Sequence, residues 1–435
     1  MTPSQRTTRR VALLGFGTVG QSVARLLREM SSDELELSCI YNRDVGRKRS
    51  CAAARHVPST AVWCETLDAV FATQPDVIVE LMGGLDPAQD WIKQALGSGI
   101  SVVTANKQVI ASDGPELTAL AQSSGVQLLY GAAVAGGVPV IPGLQQGLSG
   151  DRVMRLSGIL NGTCNFILSR MEAGARYAEV LAEAQRLGYA ESDPIADVSG
   201  LDARAKLCIL CRVGMHTELD QQRIATQSIA DIDAVDFAYA RELGCTIRQV
   251  SRAQRQHNGG PEETVYARVA PMLVPTTSPL AWSHGTQNMV VATGLFGGDV
   301  VFSGHGAGGD ATAVAVVSDL LAVAQGAQSV VLPAQPRSVS TDLIAPHYLR
   351  FVVNDKPGIV SAIAGALAKV GANIDSLLQR PGYPKQRLAF VVTTEPCLGS
   401  VINAAVSSIA AMDCMLERPL ALEILTVDDK DEPTA

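Results

Sequence analysis

The apolar positions of this chain alternate between strand-like and helix-like spacing, and the changeovers mark its elements. Arg9–Leu14 is a short β-rich run that ends in Gly15-Phe16-Gly17-Thr18-Val19-Gly20; Val23, Leu26 and Leu27 then recur at helical spacing. Further apolar runs follow at Leu35–Tyr41, Val77–Leu81, Ser101–Thr104 and Val126–Tyr130, with helical stretches at Pro87–Leu96 and Pro115–Ser123. This alternation predicts a parallel sheet covered by helices. Arg155–Leu160, Thr264–Val269 and Asn288–Ala292 read as strands of a second, α+β domain, and Gln254–Glu263 as a polar loop. Ala178, Leu181, Ala184 and Leu187 share a helix face that Gly188 is placed to stop, and Ser199-Gly200-Leu201-Asp202 matches a capping box opening the next helix. Leu332–Pro346, with three prolines, reads as a linker. Beyond it the order strand, helix, strand, strand, helix, strand is ferredoxin-like. The expected architecture is therefore α/β with three domains. A Rossmann-type dinucleotide-binding domain spans 1–132 and is completed by 304–330; a substrate and oligomerisation domain spans 133–303; a linker covers 331–346 and the last domain 347–428.

Composition narrows the class of function. A chain of 435 residues exceeds one ordinary core. Its net charge of −8, without a basic stripe, argues against nucleic acid. No apolar run is long enough to span a bilayer, and the polar, basic start lacks a signal-peptide core, so the expected location is the cytoplasm, with no membrane partner. Nine scattered cysteines suit a reducing compartment. Cys208 and Cys211 have metal-like spacing but lie in an apolar helical run, which favours core thiols.

The chemistry starts at the glycine turn. A strand, a GxGxxG turn and a helix form the dinucleotide fingerprint: Gly15 permits the turn, Gly17 lets a pyrophosphate approach the backbone, and Gly20 lets helix and strand pack closely. The second strand runs into Asn42 and Arg43, with Arg47, Lys48 and Arg49 nearby, where NAD-preferring sites carry an acid. An arginine there suits a 2′-phosphate, so NADP is preferred; Asp44, one position late, keeps NAD open. The run Thr104-Ala105-Asn106-Lys107 ends a strand at the sheet edge where ligands bind. Gly131–Pro142 is small and uncharged, and reads as a hinge, as a loop exposing carbonyls to a cation, or as both. Between Ala184 and Lys206 the chain gathers Glu191, Asp193, Asp197, Asp202 and Lys206, with Asp202 and Lys206 at i and i+4. That spacing alone fits a solvated ion pair as well as a polar pocket in which carboxylates hold a cationic group and a lysine transfers a proton.

Taken in order, GFGTVG, VELMGG, TANK, AAVAGGVP, SGILNGT, GYAESDPIADVSGLDARAK and Gly304–Gly309 resemble the homoserine dehydrogenase family over most of Val11–Asp319. The resemblance implies NAD(P)H-dependent reduction of aspartate 4-semialdehyde to homoserine, on the branch towards threonine and methionine. It implies Lys206 and Lys107 flanking the reacting oxygen, Glu191 and Asp202 (with Lys107) holding substrate, and Asp197 supporting them. Gly15–Gly20, Arg43, Thr104, Ala105, Lys107 and Gly306 would meet the cofactor. Carbonyls of Val134, Gly136 and Val138 would bind sodium or potassium, although Gly131 stands where the family usually has glutamate; His305 also stands where the family often has another residue, such as arginine. The tail, with Asp355-Lys356-Pro357-Gly358, resembles an ACT domain, in which Asp355, Gly358, Asn373 and Ile374 match ligand positions. It implies threonine as feedback inhibitor and a homodimer or homotetramer, although such a module can serve dimerisation alone. Two other readings are a non-catalytic amino-acid sensor on a nucleotide fold and a 2-hydroxy-acid dehydrogenase using a histidine, for which His305 is the candidate.

Overall fold

The computed structural model describes residues 8–190, 193–257, 263–326 and 333–426. Strand β1 (Arg9–Leu14) leads into helix α1 (Thr18–Met30), and β2 (Leu35–Tyr41), β3 (Val62–Cys64), β4 (Val77–Glu80) and β5 (Ser101–Thr104) follow. Helix α2 (Lys107–Ser123) and β6 (Leu128–Leu129) complete a parallel sheet in the order β3-β2-β1-β4-β5-β6. This is the doubly wound dinucleotide-binding order, with its switch point between β1 and β4. Val11, Leu13, Val77, Val79 and Val103 are buried against the helix layer, as strands covered on both faces require. Helix α2 starts eight residues before the predicted Pro115, because the Asn106 side chain accepts the Val109 N–H and caps it. Pro115 lies inside the helix.

The second sheet is antiparallel through β7 (Val153–Ile159), after which helices α3 (Gly162–Glu172) and α4 (Leu201–Gly214) carry the polar residues of the site. Strands β8 (Cys245–Gln256), β9 (Thr264–Pro275), β10 (Gln287–Gly294) and β11 (Gly298–His305) complete its main path, in the order β11-β10-β7-β8-β9. Strand β8 takes in Gln254–Gln256, the first residues of the expected loop Gln254–Glu263, of which residues 258–262 lie outside the described residues. Arg248, Gln249, Ser251, Arg252 and Gln254 are all buried within it, so no apolar alternation announces it. Arg248 is admitted because Glu172 Oε2 (2.9 Å) and the Ser283 carbonyl (3.1 Å) accept from it. Helix α5 (Gly309–Ala324) returns to the first domain, where Ala313, Val316, Val317 and Leu320 join the core around Val23 and Ala24.

The predicted capping box at Ser199 does not form. Ser199 instead closes the short helix Ile195–Val198, its Oγ donating to the Ile195 carbonyl (2.5 Å), and Gly200 at φ +84° precedes α4 without a side-chain cap. The predicted linker is not a free spacer. Gln335–Pro336 pairs with Thr217–Glu218, Val339–Ser340 with Val265–Tyr266 and Ile344–Ala345 with Cys397–Leu398. The last domain contains β12 (His347–Val353), α6 (Ile359–Lys369), β13 (Ile374–Leu378), β14 (Leu388–Thr394), α7 (Gly399–Ala410) and β15 (Leu420–Glu423), with sheet order β13-β14-β12-β15. That is the expected ferredoxin-like arrangement. Among the described residues no helix is long and apolar enough to cross a membrane.

Candidate active site

The three glycines of the first turn do three different jobs. Gly15 has φ +106°, its N–H donates to the Tyr41 carbonyl (3.0 Å), and a Cβ there would meet the Leu81 carbonyl at 2.9 Å. A Cβ on Gly20 would stand 2.1 Å from the Gly15 carbonyl, whereas around Gly17 nothing lies within 4 Å. The free N–H groups at the start of α1 therefore face open space, the arrangement that receives a pyrophosphate. Thr18 is exposed and Val19 half-buried there, and the Phe16 side chain is fully buried edge-on to Trp63. Across the crevice, the buried Glu80 accepts from the Met82 N–H (2.7 Å), the Gly83 N–H (3.2 Å) and Thr104 Oγ1 (2.6 Å). Thr104 thus gives its hydroxyl to the scaffold, while half-exposed Ala105 leads to Lys107 at the start of α2. Arg43 is exposed, and Asp44 is occupied as a helix cap and by Arg47 (3.1 Å). Gly306 packs its backbone against the Asn288 side chain and against Gly136, and the chain beyond it reaches α1, where Ser22 donates to Asp310 (2.7 Å).

The polar centre is built from the ends of α2, α3 and α4. Asn161 caps α3 by accepting the Cys164 N–H (2.8 Å), and its amide donates to Asp197 Oδ1 (2.7 Å) and Asp202 Oδ2 (2.9 Å). Lys206 Nζ donates to Asp202 Oδ2 (2.8 Å) and to the Leu160 carbonyl (2.7 Å), which also accepts from Asn288 (3.2 Å). Lys107 Nζ pairs with the other oxygen, Asp202 Oδ1. One carboxylate thus holds both lysines, and the pair is no solvated surface bridge: the Asp202 and Lys206 side chains are only 8% and 12% exposed, against 37% for Lys107. Burial opposes the charge on Asp202, but Lys206 and Lys107 outweigh it and hold the carboxyl well below its ordinary range. Burial moves Asp197 the other way, the Asn161 bond opposing it and the charge on Asp202 adding to it. Two adjacent carboxyls driven apart in this way mark a site suited to proton transfer. Asp193 is exposed and accepts the Ile195 N–H (3.1 Å) in a local turn. Glu191 lies outside the described residues. The polar contacts of Asn161, Asp202 and Lys206 involve no histidine among the described residues, and His305 is exposed on β11.

Family models for the homoserine dehydrogenase NAD-binding domain, homoserine dehydrogenase and the ACT domain match residues 15–131, 139–321 and 347–404. The homoserine dehydrogenase of Synechocystis sp. is 38% identical over 436 residues, covering 96% of this chain and all of that one (100%). The Mycobacterium tuberculosis homoserine dehydrogenase is 37% identical over 421 residues, with coverages of 93% and 94%. The chain belongs to the homoserine dehydrogenase family. A homoserine dehydrogenase structure from Thiobacillus denitrificans superposes with a TM-score of 0.87 at 33% identity, covering 97% of this chain and 99% of that one. A hyperthermophilic archaeal homoserine dehydrogenase in complex with NADPH gives a TM-score of 0.62 at 27% identity, with coverages of 74% and 99%. Membership makes the protein an NAD(P)-dependent oxidoreductase carrying an ACT domain.

Within this family frame, the departure at Gly131 has a structural counterpart. A Cβ there would meet Asp319 Oδ1 at 2.9 Å, and Asp319 Oδ2 accepts the Gly131 N–H (2.8 Å). Asp319, on α5, therefore brings a carboxylate to the place where Gly131 has none. The Val138 carbonyl accepts the Val140 N–H (2.7 Å). Cys208 and Cys211 are buried free thiols, and no cluster of three or more potential metal-ligating side chains occurs among the described residues. In the ACT domain, Asp355 and Gly358 line a cavity of about 280 Å³ with Lys356, Ser361 and Gln379. Asn373 and Ile374 do not line it; the Asn373 carbonyl accepts the Glu395 N–H (3.0 Å) and Ile374 pairs with Thr394. Sequence reasoning passed over Glu80, the amide of Asn161 and Asp319. Glu80, in VELMGG, and Asn161, in SGILNGT, lie in motifs that carried the resemblance, whereas Asp319 lies in none.

Proposed function

We propose that the Lys206–Asp202–Lys107 cluster interconverts aspartate 4-semialdehyde and homoserine in the biosynthesis of threonine and methionine, with NADP(H) as the preferred coenzyme. The observation that carries this reading is one buried carboxylate holding two ammonium groups at the start of α4. The open backbone at Gly17 and the α1 N-terminus fit a dinucleotide. When bound, the nicotinamide supplies the hydride that adds to the aldehyde carbon. The carbonyl oxygen then becomes an alkoxide; the Lys206 ammonium stabilises it and gives it a proton, and the more open Lys107 relays a replacement proton from solvent to Lys206. In the direction of oxidation the same lysine, neutral, takes the hydroxyl proton of homoserine. Asp202 stays ionised and fixes both lysines, while Glu191 and Asp202 hold the substrate ammonium, with Asp197 supporting them. Arg43, exposed and beside an Asp44 that is already engaged, supports the choice of NADP. Sodium or potassium would sit at the Val134 and Gly136 carbonyls.

We further propose that threonine binds the ACT domain at Asp355 and Gly358 and slows turnover, and that the chain works in the cytoplasm as a homodimer or homotetramer. A contact route supports the regulatory part. Arg350 on β12 pairs with the buried Asp236 and donates to the Asp231 carbonyl (3.2 Å), and the Ile229 N–H donates to the carbonyl of Val198 (3.1 Å), next to Asp197. Both parts are tested by initial rates of homoserine oxidation with and without threonine. Wild-type turnover that threonine suppresses, and that Asp355→Ala frees from threonine, is the expected result. Inhibition unchanged in that variant overturns the regulatory reading.

A further inference from the structure

We infer that Arg212 is a positioning residue that sets where Lys107 stands relative to Asp202 and Lys206. Arg212 lies near the C-terminal end of α4, the helix whose first turns carry Asp202 and Lys206. It is 7% exposed, and its guanidinium reaches across the domain boundary into α2. Nη1 donates to the Ile110 carbonyl (2.5 Å) and Nη2 to the Ala111 carbonyl (3.1 Å), one turn beyond Lys107. The sequence of α2 is shaped for this. Pro115 has no N–H, so the Ala111 carbonyl four residues earlier loses its helical partner, and Arg212 supplies one. Gly114 makes room: a Cβ there would stand 2.1 Å from Arg212 Nη1. Glu218 holds the guanidinium from the other side through two bonds, to Nε (2.6 Å) and Nη2 (2.8 Å), the fork geometry that orients an arginine firmly. Thus the helix bearing Lys107 and the helix bearing Lys206 are joined twice, once by the Lys107–Asp202 pair inside the site and once by Arg212 outside it. A nucleotide-domain helix that shifts by an ångström carries Lys107 away from its partner, a displacement large enough to slow the reaction severely.

The inference rests on the lysine roles proposed above, and the test separates the two. Arg212→Met should lower kcat at least ten-fold, with NADPH affinity within about three-fold of wild type. It should also alter the shape of the kcat–pH profile, because Lys107 no longer stands beside Asp202 and Lys206. Adding Pro115→Ala to Arg212→Met returns an N–H to the Ala111 carbonyl, so Tm should recover while kcat stays low; recovery of kcat together with Tm would overturn the inference by showing a purely structural role. Gly114→Ala gives a second route. Its Cβ displaces the guanidinium from the Ile110 and Ala111 carbonyls, and it should lower kcat as Arg212→Met does. Wild-type kcat in Gly114→Ala would also overturn the inference. If Lys206→Met is inactive while both the Arg212 and Gly114 variants turn over normally, only the positioning role falls; if Lys206→Met remains active, the lysine roles fall first.

Discussion

Replacing Lys206 by methionine removes the ammonium and keeps the length and apolar volume of the stem. The ammonium donates to Asp202 (2.8 Å) and to the Leu160 carbonyl (2.7 Å) in a site where it is 12% exposed, so little water is available to take over its work. General acid catalysis contributes about 10²–10⁴ in rate, and a preorganised charge at a developing oxyanion about 10²–10³. One group supplies both effects and Lys107 remains, so the two do not multiply in full. A loss of about 10³–10⁴ in kcat, or roughly 4–5.5 kcal/mol of transition-state stabilisation, is expected. Folding should suffer less than the roughly 3–5 kcal/mol typical of a broken buried pair, because Lys107 still neutralises Asp202. The assay is steady-state homoserine oxidation followed by NADPH absorbance, with NADPH affinity measured by fluorescence on the same protein. Equal losses in kcat and kcat/KM with unchanged NADPH affinity are expected. A fall of less than ten-fold in kcat, or a parallel loss of NADPH binding, would refute the reasoning.

Asn161→Leu removes the amide that donates to Asp197 and Asp202 and the oxygen that caps α3. A Tm drop matching about 1–2 kcal/mol for a lost cap, together with at least a ten-fold lower kcat, should appear in paired thermal and kinetic assays. Asp319 is pushed up to about 7 by burial, which the Gly131 N–H only partly opposes. Its folded pKa lies above the ordinary 3.8, so the folded chain keeps a proton that the unfolded chain has lost, and stability falls as pH rises from about 4 through 7. Asp319→Asn escapes this, so its Tm advantage should grow from pH 5 to pH 8, reaching about 2 kcal/mol once the partial exposure of the side chain is allowed for; a constant difference across that range contradicts the assignment. Arg43→Ala should raise KM for NADP several-fold and leave that for NAD unchanged, which side-by-side kinetics with the two coenzymes will show.

The nucleotide-binding part was legible because each constraint there is local. Gly15, Gly17 and Gly20 answer to the turn, the open approach and the helix contact that their spacing implied. The ACT domain was legible for the same reason, its short strands and helices each carrying their own period. Strand β8 was hidden because its buried polar residues are satisfied by groups distant in sequence, as Arg248 is by Glu172 and Ser283. The start of α2 was hidden because Asn106 caps it upstream of Pro115, which locally reads as a first residue. In the site, the i,i+4 spacing of Asp202 and Lys206 was visible. That Lys107 shares the same carboxylate was not visible in spacing, since it joins positions on separate domains. The resemblance to the family set Lys107 and Lys206 at one reacting oxygen, but not on one carboxylate. Asp319 beside Gly131 had no sequence signal at all, because a missing carboxylate at one position does not say where another comes from.

The most direct test of the account is homoserine-dependent reduction of NADP and of NAD by the purified chain, measured separately over a pH series. The account predicts turnover with both coenzymes and a higher kcat/KM with NADP. Absence of turnover in protein that still binds NADPH would contradict the assignment of Lys206, Asp202 and Lys107 to this reaction.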